Sequence, residues 1–469
     1  MDGMPPITEP IKLPPKGLAI IIAVGPAFVW CAEYIGSGEV ILATRTGAIL
    51  GTGVMWAIVV GIVLKYWIGM SGARYTVCTG EGMMDMFSRM PGPKNWAVWI
   101  VLIAQFASAA ISIGALATSA GIFVNSLVPI SPQVSGWLVT IFAVAVVWAG
   151  VFDPLKMVMS FCVIIIVLGV LVVALSVLPT LSAFMQGLAL QVPGVPEWAR
   201  AVRVNENPWK EILPLIGWSA GGFASQVWYS YWVMGAGYGA TAGRNPGTPA
   251  DLSALRSLTR TSAENIRGWC RVVYADATLA MIIGHVVTVS FLIAGAGILR
   301  ANQLAPEGEA VALTLSRIFS SKWGEVGGFL FLLSGAAALI STQIGQLAGW
   351  PRLLADAFRI CIPAFQKKFA WKTQYRIFLL FFFCTNMILV YSFGLKPVVM
   401  VKLGAVLDGL LLTPLQALCI IIGLYLVMPR LLSPEAREIL RPHWVFAMGL
   451  IAAFVVFGYF CVAQMPFLF

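Results

Sequence analysis

The sequence predicts an all-α polytopic membrane protein: two five-helix repeats of opposite orientation plus an eleventh helix, with helices 1 and 6 broken. Three observations carry that expectation. The 469 residues are 59% hydrophobic and only 11% charged, with a mean hydropathy of +0.88, whereas ordinary soluble domains hold about 25% charged residues. Apolar stretches of about 20 residues, enough to cross a bilayer, recur along the chain. Two of them, five spans apart, are interrupted near mid-membrane by glycines and small polar residues.

Spans fall at about 17–50 (broken), 53–73, 95–126, 134–151, 155–180, 211–238 (broken), 272–299, 324–358, 375–395, 398–428 and 443–467. Residues 1–16, MDGMPPITEPIKLPPK, are polar and proline-rich and read as a cytoplasmic tail without a cleavable signal pattern. The core is 17–428, with repeat one at about 17–180 and repeat two at about 211–428. Residues 429–469 supply a loop and the eleventh helix. With the N-terminus inside, about 20 Lys and Arg fall on the cytoplasmic side and about 8 outside. The loops 239–271 and 359–376 hold the richest clusters. The expectation is a multi-pass plasma (inner) membrane protein with its C-terminus outside. The loop 181–210 is expected to hold a short surface helix, with Trp198 and Trp209 at the interface.

Composition also excludes. The net charge of +10 comes from basic residues scattered over short loops, which the positive-inside bias explains better than a nucleic-acid partner does. The eight cysteines are dispersed and lack CxxC spacing, so they read as small buried residues. Two histidines, His285 and His443, cannot build a zinc site of the enzyme kind. No nucleophile–base pair or metal triad suggests a membrane enzyme. No cofactor and no obligate protein partner are expected; the partners are the bilayer and the transported solute.

In the first break, Gly36-Ser37-Gly38 is followed at once by Glu39. Backbone that leaves a helix at membrane depth exposes polar groups costing several kcal/mol each unless something uses them. An intramembrane acid is likewise a functional suspect. The second break is Gly217-Trp218-Ser219-Ala220-Gly221-Gly222, followed by Phe223-Ala224-Ser225-Gln226. Single glycines in membrane helices often serve close packing. Paired breaks at corresponding positions of two halves point instead to a transporter's binding site, and so to a LeuT-type fold with a 5+5 inverted repeat.

Gly25-Pro26-Ala27-Phe28 followed by Tyr34-Ile35-Gly36-Ser37-Gly38-Glu39 resembles the first helix of the NRAMP metal transporters. There a GPGF-like start leads to the metal-binding DPGN. Ser341 to Gly349, STQIGQLAG, is similar to that family's SSTITGTxAG stretch. On this resemblance the DPGN aspartate falls on Gly36 and its asparagine on Glu39. The family's AxxMPH falls on Ala220, Phe223, Ala224 and Ser225, so its metal-binding methionine is absent. Its following histidines fall on Ser225 and Ser230, and its third-span acids on Ser108 and Ile111. Loss of a soft thioether favours a hard ion, and Mg2+ is usually held by one or two carboxylates with waters retained. The resemblance therefore implies the NRAMP-related magnesium-transporter branch, uncoupled to protons, with Mn2+ as a secondary substrate. Its site would comprise Glu39, Gly36, Ser37, Ala220, Phe223, Ala224, Ser225 and Gln226, and Glu39→Gln would abolish transport.

Other polar groups lie within spans. Glu33 and Asp408 are candidates for the vestibule or for support of the site, or else helix-packing acids; Gln343 and Gln346 read more readily as interhelical glue. His285 is either pH-sensitive or simply hydrogen-bonded. Arg45 caps the first helix or pairs with an acid, and Lys65 snorkels or pairs with an acid. Trp228, Tyr229, Tyr231 and Trp232 form an aromatic stripe for packing or gating. The rival function is transport of an amino acid or organic cation, supported by the GSG break. Glu39 beside a bound carboxylate argues against the amino acid.

Overall fold

The computed structural model describes residues 11–202, 204–305, 310–392 and 397–464. Residues 1–10 of the expected tail, 393–395 of the expected ninth span and 465–467 of the expected last span lie outside the described residues. Among those described there is no β-strand, and the LeuT-type arrangement is present with both breaks. Among the described residues seven helices are long and apolar enough to cross a membrane, and Pro132–Val147 is a shorter apolar helix.

The first span is Pro26–Tyr34 followed by Gly38–Leu50, where Gly38–Ala43 forms a wide π-helical turn. Gly51, at φ +71°, ends it, and a 3₁₀ turn leads into the second span, Met55–Thr79. The third and fourth spans, Trp96–Leu127 and Pro132–Val147, are joined by a tight connection in which the Ser131 hydroxyl caps the Val134 N–H. Gly150, at φ +70°, separates the fourth from the fifth, Phe152–Leu175. Asp153-Pro154 thus begins a helix, as expected of an acid and a proline in a first turn.

The loop 181–210 carries two short helices, Leu181–Gly187 and Glu197–Ala201. The sixth span is Trp209–Trp218 and Phe223–Gly235. The seventh begins at Arg260, earlier than the hydropathy suggested, because Thr259 accepts the Ser262 N–H and the polar run that follows continues the helix. Between them Asp251 caps Leu252–Arg256; donation from Ser253 and Ala254 holds its carboxyl below the usual carboxylate range. The eighth helix, Ala310–Cys361, also starts well before the expected 324. The ninth is Trp371–Ser392, the tenth runs from Pro397 to Leu431 with π turns at Leu407–Leu411 and Gly423–Val427, and the eleventh starts at Trp444.

The packing follows the repeat. Corresponding spans of the two halves lie against each other: Met55–Thr79 on Arg260–Ala294, and Trp96–Leu127 on Ala310–Cys361. Outward faces of the third, fourth and fifth spans expose Ile103, Phe142, Phe161 and Leu168, as expected for side chains that meet lipid. The two broken helices are enclosed, with their polar residues buried.

Candidate functional site

At the first break the chain turns extended at Ile35, at φ −76° and ψ 90°. The Ile35 carbonyl accepts the Thr342 hydroxyl of the eighth span at 3.1 Å. Gly36 is required by this approach, since a Cβ there would sit 2.2 Å from Thr342 Oγ1. The Gly36 N–H donates to Glu39 Oε2 at 2.8 Å, and Thr288 Oγ1 donates to Glu39 Oε1 at 3.4 Å. A glutamate that reaches back three residues to a free backbone N–H at a helix start acts as the acid of a capping box does. Glu39 therefore closes the start of the second half-helix.

At the second break Ala220 and Gly221 are both left-handed, at φ +58° and +73°, a conformation that costs a non-glycine residue about 1–2 kcal/mol. The break's carbonyls find partners. Leu215 accepts the Ser219 N–H, Trp218 accepts the Gly221 N–H, and Ala220 accepts Gln226 Nε2 at 2.8 Å. Ile216, Gly217 and Gly221 all accept Lys65 Nζ. Lys65 thus pairs with backbone carbonyls.

Between the breaks lies a small cavity. Its polar lining is Glu33, Ser37, Ser225, Thr342, Gln346 and Asp408, and its walls are the rings of Tyr34, Trp218, Trp228 and Trp350. The cavity's volume is about 20 Å³, room for about one water molecule. Asp408 Oδ1 accepts Gln105 Nε2 at 2.5 Å and the Ala224 N–H at 3.4 Å. Its Oδ2 is buried without a partner, as are Gln346 Oε1 and the Trp218 and Trp228 indole nitrogens. Glu33 Oε2 accepts Ser225 Oγ at 2.6 Å, and that hydroxyl accepts Trp30 Nε1 at 3.1 Å. The Trp30 ring stacks on Tyr229, with centroids 4.2 Å apart. Two carboxylates from different helices thus converge on one small polar void. Among the described residues no group of three or more His, Cys, Asp or Glu is placed to hold a metal.

Of the residues expected at the site, Ser37, Ser225, Glu33, Asp408 and Gln346 line this cavity; Gly36, Glu39, Ala220, Phe223, Ala224, Gln226 and Gln343 do not. Phe223 packs on Phe87 and its carbonyl accepts Gln416 Nε2. Gln343 Nε2 donates to Thr140 in the fourth span, interhelical glue as anticipated. His285 is half-buried, with Nδ1 2.8 Å from the Met281 carbonyl one turn back. Asp276, which sequence reasoning passed over, accepts the Gly25 N–H at 2.9 Å and the Tyr229 hydroxyl at 2.7 Å, pinning the start of the first span. The signal was available: Asp276 is the lone acid in an otherwise apolar stretch of the seventh span.

Buried ion pairs stand toward each end of the broken helices. Beyond Glu39, Glu211 bridges Arg45 at 3.3 Å and Lys402 at 2.7 Å. At the arginine-rich end Arg359 pairs with Asp85 at 2.8 Å and with Asp356 at 3.3 Å, and Tyr231 and Trp371 also donate to Asp356. Glu81 holds Arg89 and accepts the Tyr75 hydroxyl and the Ala250 N–H.

No known protein-family profile matches the chain. It is 20% identical over 439 residues to the uncharacterized protein PM0681 of Pasteurella multocida, covering 91% of this chain and 89% of that one. It is 27% identical over 177 residues to the divalent metal cation transporter MntH of Pectobacterium carotovorum, a stretch of 37% of this chain and 41% of that transporter. In fold it matches a manganese transporter of Eremococcus coleocola with a TM-score of 0.61 at 13% identity, over 99% of this chain and 94% of the other. It also matches MhsT in complex with L-phenylalanine, with a TM-score of 0.54 at 14% identity over 95% and 99% of the two chains. In fold along its length the chain is therefore like the manganese transporter and MhsT, an arrangement of the LeuT type, and over part of its sequence it is similar to divalent metal cation transporters.

Proposed function

We propose that this protein carries a divalent metal cation, Mg2+ foremost and Mn2+ secondarily, across the plasma membrane by alternating access without proton coupling. In this reading Glu33 and Asp408 hold the ion, with Ser37, Ser225 and Gln346 around it, and Glu39 shapes the break without touching the ion. The carrying observation is Asp408, which lines the polar cavity and whose Oδ2 is buried with no partner among the described residues. A buried carboxylate oxygen without a donor is too costly to leave unused. Among the described residues no Met, Cys or His lines the cavity, so the ligand set is all hard oxygen and suits Mg2+ over softer metals. MntH and the manganese transporter support a divalent cargo. The third-span positions Ser108 and Ile111 carry no titratable group, which supports an uncoupled cycle. The membrane potential supplies about 2.3 kcal/mol per charge per 100 mV, twice that for a divalent ion.

The test is uptake into proteoliposomes of Mg2+, Mn2+, Ca2+ and a panel of amino acids and organic cations, with internal pH monitored. Mg2+ entry without acidification is expected. Asp408→Asn and Glu33→Gln should each lower it by about tenfold or more, the loss of a hydrogen-bonded charged contact worth about 1.5–3 kcal/mol. Proton entry with the metal would refute the uncoupled cycle, and full uptake by both variants would remove these acids from the site. A second reading rests on the wall of three tryptophans and a tyrosine around two acids, a lining that also suits an organic cation. Its discriminating outcome is organic-cation uptake that is indifferent to Mg2+.

A further inference from the structure

Lys65 sits in the middle of the second span and is fully buried. Its ammonium donates to the Ile216 carbonyl at 3.2 Å, to that of Gly221 at 2.5 Å, and to that of Gly217. The Phe457 ring of the eleventh span stands on a further side, 5.6 Å away. An ammonium has three donors and no acceptor, and here all three go to backbone carbonyls of one helix break. Two of those carbonyls belong to the last turn of Trp209–Trp218 and one to the left-handed Gly221. A helix C-terminus carries partial negative charge, and opened carbonyls in broken transporter helices are groups that coordinate monovalent cations. Gly61, one turn before Lys65, keeps that helix close to the break: a Cβ there would lie 3.0 Å from Ser219 and 3.2 Å from the Ile216 carbonyl.

We propose that Lys65 is a tethered cation filling a monovalent-ion site made by the sixth-span break, so that the protein works without a co-transported monovalent cation. The side chain brings to the carbonyl cage, on a covalent tether, the cationic donor group that a free ion would otherwise supply. The break is then held in shape whether or not cargo is bound. This inference rests on the LeuT-type fold and on the carbonyl cage, and it does not depend on which cargo the Glu33–Asp408 cavity takes.

The experiment uses the purified full chain in nanodiscs, as wild type, Lys65→Ala and Lys65→Met. Thermal stability is titrated with Na+, K+, ammonium and methylammonium, with choline controlling for ionic strength. The wild type should respond to all of them as it does to choline. Lys65→Ala should be less stable and should regain stability saturably with at least one small cation, by about 2 °C or more in Tm. Lys65→Met, which keeps the stem and fills the cage with an apolar group, should be destabilised without such recovery. A Lys65→Ala protein that answers every cation as it answers choline, or a Lys65→Met protein as stable as wild type, would overturn the proposal. If Lys65→Ala is too unstable to purify, the same titration on Lys65→Gln decides it by the same criterion. Wild-type Mg2+ uptake is measured in parallel: its absence would defeat the metal reading and leave the stability result standing.

Discussion

Glu39 and Asp408 are both fully buried acids beside broken backbone, yet their atoms are used differently. Both oxygens of Glu39 have protein donors, the Gly36 N–H and the Thr288 hydroxyl; Asp408 keeps Oδ2 free. An acid whose lone pairs are consumed locally stabilises the fold, and one with an unpaired oxygen in a cavity can take a ligand. Glu39→Gln retains an acceptor for the Gly36 N–H, so Mg2+ should still raise its Tm, whereas Asp408→Asn should lose that rise. Glu39→Ala should cost about 1–3 kcal/mol by stranding the Gly36 N–H, read as a lower Tm with or without metal. Glu33, Ser37, Ser225 and Asp408 were legible as intramembrane polar groups. Which of them shared a cavity was not, because a carboxylate's partners include groups hundreds of residues away, as Thr288 is for Glu39 and Gln105 for Asp408.

At the level of elements, the two breaks are held by other helices. The eighth span satisfies the Ile35 carbonyl through Thr342, and the second span satisfies three carbonyls of the sixth through Lys65. At Gly36 there is no space for a Cβ against Thr342. Gly36→Ala should therefore lower Tm and uptake, and adding Thr342→Ala should restore part of the stability, because two of the clashing atoms leave with the hydroxyl and methyl. No recovery in the double variant would show that backbone freedom at residue 36, and not the contact, is what matters. The early starts of the seventh and eighth helices were hidden from hydropathy for a simple reason. Helices continue wherever capping and propensity allow, and Thr259 provides a cap well before the apolar run begins.

For the whole molecule, a small polar cavity between ion-paired ends is what the proposed carrier cycle requires. Separating a buried pair leaves an uncompensated charge and costs about 3–5 kcal/mol. Asp85→Asn removes one partner of Arg359 and should favour the state open at the arginine-rich end. In a background with the eight native cysteines replaced, a Ser225→Cys probe should then be labelled faster by a thiol reagent applied from that side. Unchanged labelling would mean that the Arg359–Asp85 pair braces the fold and does not gate it.

The chain's own residues determined the class of molecule. Apolar run lengths dictate the spans, because a bilayer demands about 20 residues per helix. Glycine and small polar residues at matching places dictate the two breaks, because only there does the backbone leave its helix cheaply. These are local rules, readable from spacing. Tertiary structure alone decided which polar group meets which. Lys65 and the carbonyls of Gly217 and Gly221 are more than 150 positions apart, Gln105 and Asp408 more than 300. Whether an intramembrane acid is spent on a backbone N–H or left facing a cavity follows from those distant neighbours. So the run from Gly36 to Glu39 announced a polar centre, and the packing of the second, eighth and tenth spans around it placed the free carboxylate oxygen on Asp408.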